Sequence, residues 1–87
     1  MYLHLGEETV VSDKSIIGIF DLEITSQSKI TQKFLANEEK EKNVVNVSEE
    51  LPRSFIVCSE KGKNKTYISQ ISPQTLTRRS KNAANFE

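Results

Sequence analysis

A chain of 87 residues has the size of one domain, and with 36% hydrophobic residues it can bury only a small core, for which oligomerisation is a usual remedy. Formal net charge is zero, which excludes a global pull toward nucleic acid or membrane, but the two parts differ: residues 1–50 hold 5 Lys/Arg and 10 Asp/Glu, net −5, and residues 51–87 hold 7 and 2, net +5. One cysteine, Cys58, excludes an internal disulfide framework, and no apolar run approaches the ~20 residues of a membrane span, so the expected compartment is the reducing cytosol.

The opening, residues 1–5, alternates Leu3 and Leu5 with Tyr2 and His4, as a strand does. Gly6-Glu7-Glu8 turns it back into Thr9-Val10-Val11, giving a hairpin. After the polar Ser12-Asp13-Lys14 comes the most apolar run of the chain, Ser15-Ile16-Ile17-Gly18-Ile19-Phe20-Asp21-Leu22. It is apolar on both faces, so it is expected to be a central strand covered on both sides. Gly18 within it marks a bulge or a close backbone approach. Residues 24–28 form a polar link, and Ser26 or Ser28 can cap the one long helix, 28–42. Ile30, Phe34 and Leu35 are its apolar contacts; the end from Asn37 to Lys42 is charged and expected to face solvent.

Strand patterning returns at 43–47, and Pro52 fits the following turn because it cannot donate to a ladder. Ser54-Phe55-Ile56-Val57-Cys58 is a second strand apolar on both faces, with Phe55 and Val57 on one and Ile56 and Cys58 on the other. Residues 60–64 read as a hairpin loop, and 65–71 as the return strand. Ser72-Pro73 opens a short helix that runs to about Lys81 with Leu76 as its apolar anchor. The class is therefore α+β: a single domain, residues 1–81, with a mainly antiparallel sheet, one long helix and a short C-terminal helix, followed by a flexible tail, 82–87.

Catalytic chemistry has no foothold. His4 is the only histidine and sits between leucines; Cys58 lies in an apolar strand, where a thiol behaves as a small hydrophobe. Three scattered glycines make no phosphate loop, and Glu38, Glu39 and Glu41 have no second ligand cluster with which to hold a metal. Neither enzyme activity nor a cofactor is expected, and so short a chain leaves little room for a small-molecule pocket. The cations are more suggestive. Lys14, Arg53, Lys61, Lys63, Lys65, Arg78 and Arg79 stand on or beside expected loops and helix ends, where they can contact phosphates. Two doubly apolar strands and too few helical contacts to cover them predict a homo-oligomer. A symmetric assembly repeats each cation, so weak phosphate contacts sum.

Taken together, Tyr2-Leu3-His4-Leu5-Gly6, Val10-Val11-Ser12, Ile16-Ile17-Gly18-Ile19-Phe20-Asp21, Leu51-Pro52-Arg53-Ser54-Phe55-Ile56-Val57, Tyr67-Ile68-Ser69 and Ser72-Pro73-Gln74-Thr75-Leu76 resemble the RemA/RemB family of bacterial regulators of extracellular-matrix (biofilm) genes. The opening and the 60–64 stretch look closer to the RemB branch. The resemblance implies a cytosolic, ring-forming regulator that binds duplex DNA without catalysis. RemA-type members carry basic residues before the central strand and adjacent arginines before the Phe55 strand; here those places hold Lys14-Ser15 and Glu50-Leu51, with Arg53 close by. The candidate phosphate contacts are Lys14, Arg53, Lys61, Lys63, Arg78 and Arg79. No recognition helix is evident, so specificity is expected from DNA shape and bending. The alternative is an oligomeric protein-interaction module that docks a partner through the acidic helix end, 38–42.

Overall fold

The structure is a computed structural model that describes residues 2–25 and 28–85. Met1, Ser26 and the last two positions of the expected tail lie outside the described residues. In chain order the elements are β1 (Tyr2–Gly6), β2 (Thr9–Ser12), a single 3-10 turn (Asp13–Ser15), β3 (Ile16–Asp21), α1 (Leu22–Thr25), α2 (Lys29–Lys40), β4 (Val44–Asn46), β5 (Ser54–Glu60), β6 (Lys63–Ser69) and α3 (Pro73–Asn85). β1 and β2 form an antiparallel hairpin. The other strands make one sheet of order β3-β5-β6-β4, antiparallel except for the β4–β6 pair. The expected α+β class holds. Among the described residues no helix is long and apolar enough to cross a membrane.

The strand at the centre is β5, not β3. Residues 54–58 are all buried, whereas β3 lies on the edge with Ile17 and Phe20 exposed. Both runs are apolar on both faces, so hydrophobicity alone does not rank them. Topology does: β5 is hydrogen-bonded on both sides, by β3 and by β6. The glycine reading of β3 holds. Pairing slips between Ile16 and Gly18, and a Cβ on Gly18 would stand 2.6 Å from Phe20 Cζ, so the Phe20 ring occupies the space a side chain would need.

Three layers result. On one face of the sheet, Ile56 and Cys58 of β5 pack with Leu3 and Leu5 of β1, Val11 of β2 and Leu76 of α3. Each fully buried Leu or Ile there contributes about 1.5–3 kcal/mol. Polar side chains clip the layer: Ser69 Oγ donates to Leu5 O at 2.6 Å, and Ser54 Oγ donates to Ile71 O at 2.8 Å. Ser72 caps α3 as expected, its Oγ accepting from Thr75 N at 3.2 Å. The helix then runs 13 residues, past the expected end at Lys81, one residue longer than α2.

On the other face lie Phe55, Val57 and Thr66, with α2 above them. Phe55 stacks on Phe20 at a centroid separation of 4.9 Å and meets the Phe34 ring at 6.4 Å. Ser28 caps α2, its Oγ accepting from Thr31 N at 3.5 Å. The charged end of α2 departs from expectation. Glu38 is only 6% exposed; Thr66 Oγ1 donates to its Oε1 at 2.8 Å and Asn43 Nδ2 to its Oε2 at 3.2 Å. A carboxylate with charge-compatible donors can be buried, and this one fastens the helix end to β6. Asn43 N donates to Glu38 O and Lys42 N to Glu39 O, which with Lys42 at φ +61° closes the helix in a Schellman turn. Ile30 also departs: it is 82% exposed.

Candidate nucleic-acid interface

The turn between β5 and β6 is tight. Glu60 pairs with Lys63, leaving only Lys61 and Gly62 between them, with φ of +53° and +78°. Two successive positive φ values belong to a two-residue hairpin turn whose twist matches the strands, and Gly62 takes its value without strain. The loop expected at 60–64 is therefore two residues long, and Lys63 and Asn64 belong to β6. Strand alternation then does what a loop would not. Lys63, Lys65 and Tyr67, two apart, share one face, the face that carries the β1–β2 hairpin.

Between that hairpin and the sheet runs a groove of about 610 Å³. Lys61, Lys63 and Lys65 line it together with Tyr2, Tyr67, Ser15 and Cys58; Glu60 is its one carboxylate. Lys14, exposed on the 3-10 turn, precedes Ser15 at the groove wall. This end of the sheet thus gathers Lys14, Lys61 and Lys63 of the expected contacts. It adds Lys65, weighed among the cations but left out of the contact set, and the exposed Tyr2. The missed signal was the spacing of Lys61, Lys63, Lys65 and Tyr67, which reads as one strand face once the turn is known to be short. Three ammonium groups beside phenol rings make a surface suited to phosphates, with Tyr2 able to lie against an apolar or aromatic group.

The remaining cations stand elsewhere. Arg53 is exposed at the opposite end of β5, where its N–H donates to Ser69 O and its carbonyl accepts from Leu22 N. Seven strand residues separate the two ends by about 20 Å. Arg78 and Arg79 are exposed on α3, and Arg79 Nη1 donates to His4 O at 3.2 Å, tying the helix to β1. Among the described residues the candidate contacts therefore fall at three positions of the protomer rather than one. A second groove is acidic: Glu7 and Glu8 of the β1–β2 turn face Glu49 and Glu50, beside Asn46 and Ser48.

A buried thiol, Cys58, and a half-buried phenol, Tyr67, border the basic groove. Burial pushes the Cys58 thiol up; a hydrogen bond with Ser15 draws it partly back, and Glu60 adds to the rise. Burial likewise raises the Tyr67 phenol, with smaller additions from Cys58 and Glu60. Both therefore stay neutral at physiological pH. Among the described residues no three His, Cys, Asp or Glu side chains group as a metal site would need.

Comparison with known proteins finds a match to the family model described as "RemA-like: Extracellular matrix regulatory protein A-like" over residues 2–79. The chain is also 38% identical over 79 residues to "Extracellular matrix regulatory protein B" of Bacillus subtilis (strain 168), covering 91% of this chain and 89% of that protein.

Proposed function

Because the chain belongs to the RemA-like family of extracellular matrix regulatory proteins, we propose that it regulates extracellular-matrix gene expression in the cytosol by binding duplex DNA as a ring-like homo-oligomer. The family carries the regulatory part of this reading, and its name is that of a regulator, not of an enzyme. The observation that carries DNA binding is the groove at the β5–β6 turn, where Lys61, Lys63 and Lys65 converge beside Lys14. Phosphate contacts there are independent of base sequence, so specificity comes from DNA shape. Arg53, Arg78 and Arg79 are secondary contacts, brought to the duplex by copies of the chain. The ring is supported by an apolar groove that the described residues leave uncovered.

A second reading, a module that works through a protein partner, is favoured by one observation. Glu50, which with Leu51 takes the place where the family resemblance puts adjacent arginines, lines the acidic groove together with Glu49. A salt titration separates the two. Binding to a promoter fragment and to random DNA is measured by fluorescence anisotropy. The wild type is compared with Lys63→Ala/Lys65→Ala, Arg53→Ala and Arg78→Ala/Arg79→Ala. Affinity should fall steeply with salt, and the lysine double variant should flatten the slope by about 1 per lost phosphate contact. Absence of binding at low salt overturns the DNA reading in favour of the protein partner. Unchanged slopes in every variant reject these residues.

A further inference from the structure

We propose that the groove between the β1–β2 hairpin and the sheet binds a free nucleotide, its phosphates on Lys61, Lys63 and Lys65 and its base against Tyr2 and Val10. The site shares its lysines with the DNA contact proposed above but stands without it. A chain this short has little interior for an enclosed cavity. The groove is instead a cleft between two separately hydrogen-bonded units, the hairpin and the four-stranded sheet. Its volume of about 610 Å³ lies within the range of small-ligand sites, about 300–1,000 Å³. A duplex can rest on the rim of such a cleft but is too broad to enter it.

The two walls differ in chemistry, and the difference matches the two ends of a nucleotide. The sheet wall is cationic. Lys63 and Lys65 stand two residues apart on one strand face, about 7 Å, and their flexible four-carbon stems can bring both ammonium groups to neighbouring phosphates. Lys61 joins them from the turn, where the hairpin fixes its backbone at positive φ. Glu60 is the one carboxylate of the lining, so three cations face one anion. The hairpin wall is aromatic and apolar. Tyr2 is 73% exposed and Val10 48%, and both line the groove. Tyr2 pairs with Ser12, which places Val10 diagonally beside it. A planar base can lie on that platform, and stacking on an aromatic ring tolerates any base because every base has a π-face. Inorganic phosphate engages the lysines alone and a neutral aromatic the hairpin alone; a nucleotide engages both walls.

Isothermal titration calorimetry on the full chain at low salt tests this with ATP, tripolyphosphate and adenosine. Tyr2, Lys63 and Lys65 are exposed, so variants at these positions should keep the wild-type circular dichroism. ATP should bind about fivefold or more tightly than tripolyphosphate, and adenosine more weakly than either. Tyr2→Ala should weaken ATP about fivefold or more and leave tripolyphosphate unchanged. Lys63→Ala/Lys65→Ala should weaken both phosphate compounds about tenfold or more. No ATP binding at millimolar concentration overturns the site. So does equal affinity for ATP and tripolyphosphate in wild type and in Tyr2→Ala, which is the attraction of any polyanion to lysines. ATP affinity unchanged in the lysine variant also overturns it. ATP binding without DNA binding keeps the nucleotide site and ends the DNA reading; DNA binding that depends on Lys63 and Lys65 without ATP binding does the reverse.

Discussion

The two faces of the sheet are built from similar residues and finished differently. On the face that carries the β1–β2 hairpin and α3, Leu3, Leu5, Ile56 and Leu76 are all but inaccessible, and serine hydroxyls close the carbonyls around them. On the α2 face, Phe55 and Val57 are buried, but Ile17, Phe20, Ile30 and Phe34 remain in contact with solvent. One face is complete within a single chain. The other is held at one end by a polar clasp, Glu38 with Thr66, and lies open toward β3. The difference teaches that the two faces contribute unequally to folding: stability resides in the closed one, and the open one keeps its apolar area in contact with solvent.

The largest effect should come from the closed face. Leu76→Ala should cost about 2–5 kcal/mol in urea denaturation, since a fully buried leucine loses both its transfer energy and its packing. Phe34→Ala on the open face should cost clearly less under dilute, unassembled conditions. Equal losses would break the comparison. Next is the clasp. Thr66→Val removes a donor from a buried carboxylate and should cost about 1–3 kcal/mol, with faster amide exchange in the last turn of α2. Were exchange there unchanged, the clasp would not be what holds the helix.

Lys42→Gly should stabilise by about 0.4–1 kcal/mol, read from the denaturation midpoint, because glycine takes the positive φ of the Schellman turn without strain. The smallest effect concerns pH. Burial raises the Cys58 thiol above its ordinary 9.0, so the folded state binds the proton more tightly than the unfolded state. The contribution is fully present below the ordinary value and is lost as pH rises through the raised one. Stability should therefore decline at alkaline pH, and less steeply in Cys58→Ala. An equal decline in both would assign it to other groups, Tyr67 first among them.

Much of the fold was legible because the signals were local. Ser28, Ser72 and Pro73 mark helix starts through bonds within one turn, and alternation at 54–58 assigned Phe55 and Val57 against Ile56 and Cys58 correctly. The slip at Gly18 was readable for the same reason. Glu38 was not. Glu38-Glu39 followed by Lys40-Glu41-Lys42 looks like a solvated helix end, and the donors that permit burial include Thr66, 28 residues away, beside the nearer Asn43. The basic site was half legible: the lysines were recognised as cations, but their shared face depended on a turn shorter than the one expected.

The sequence by itself determined the α+β class, the scarcity of core-forming residues and the excess of cations after position 50, because these depend on composition, periodicity and short-range caps; the family was legible through the resemblance of its stretches, in order and spacing, to known members. Only the tertiary structure decided which of two equally apolar strands is central, which helix contacts stay open, and which cations converge. Strand order and layer packing arise from pairings distant in the chain. Side chains as apolar as Ile17 and Ile56 receive opposite environments according to whether a second strand and a covering layer reach them.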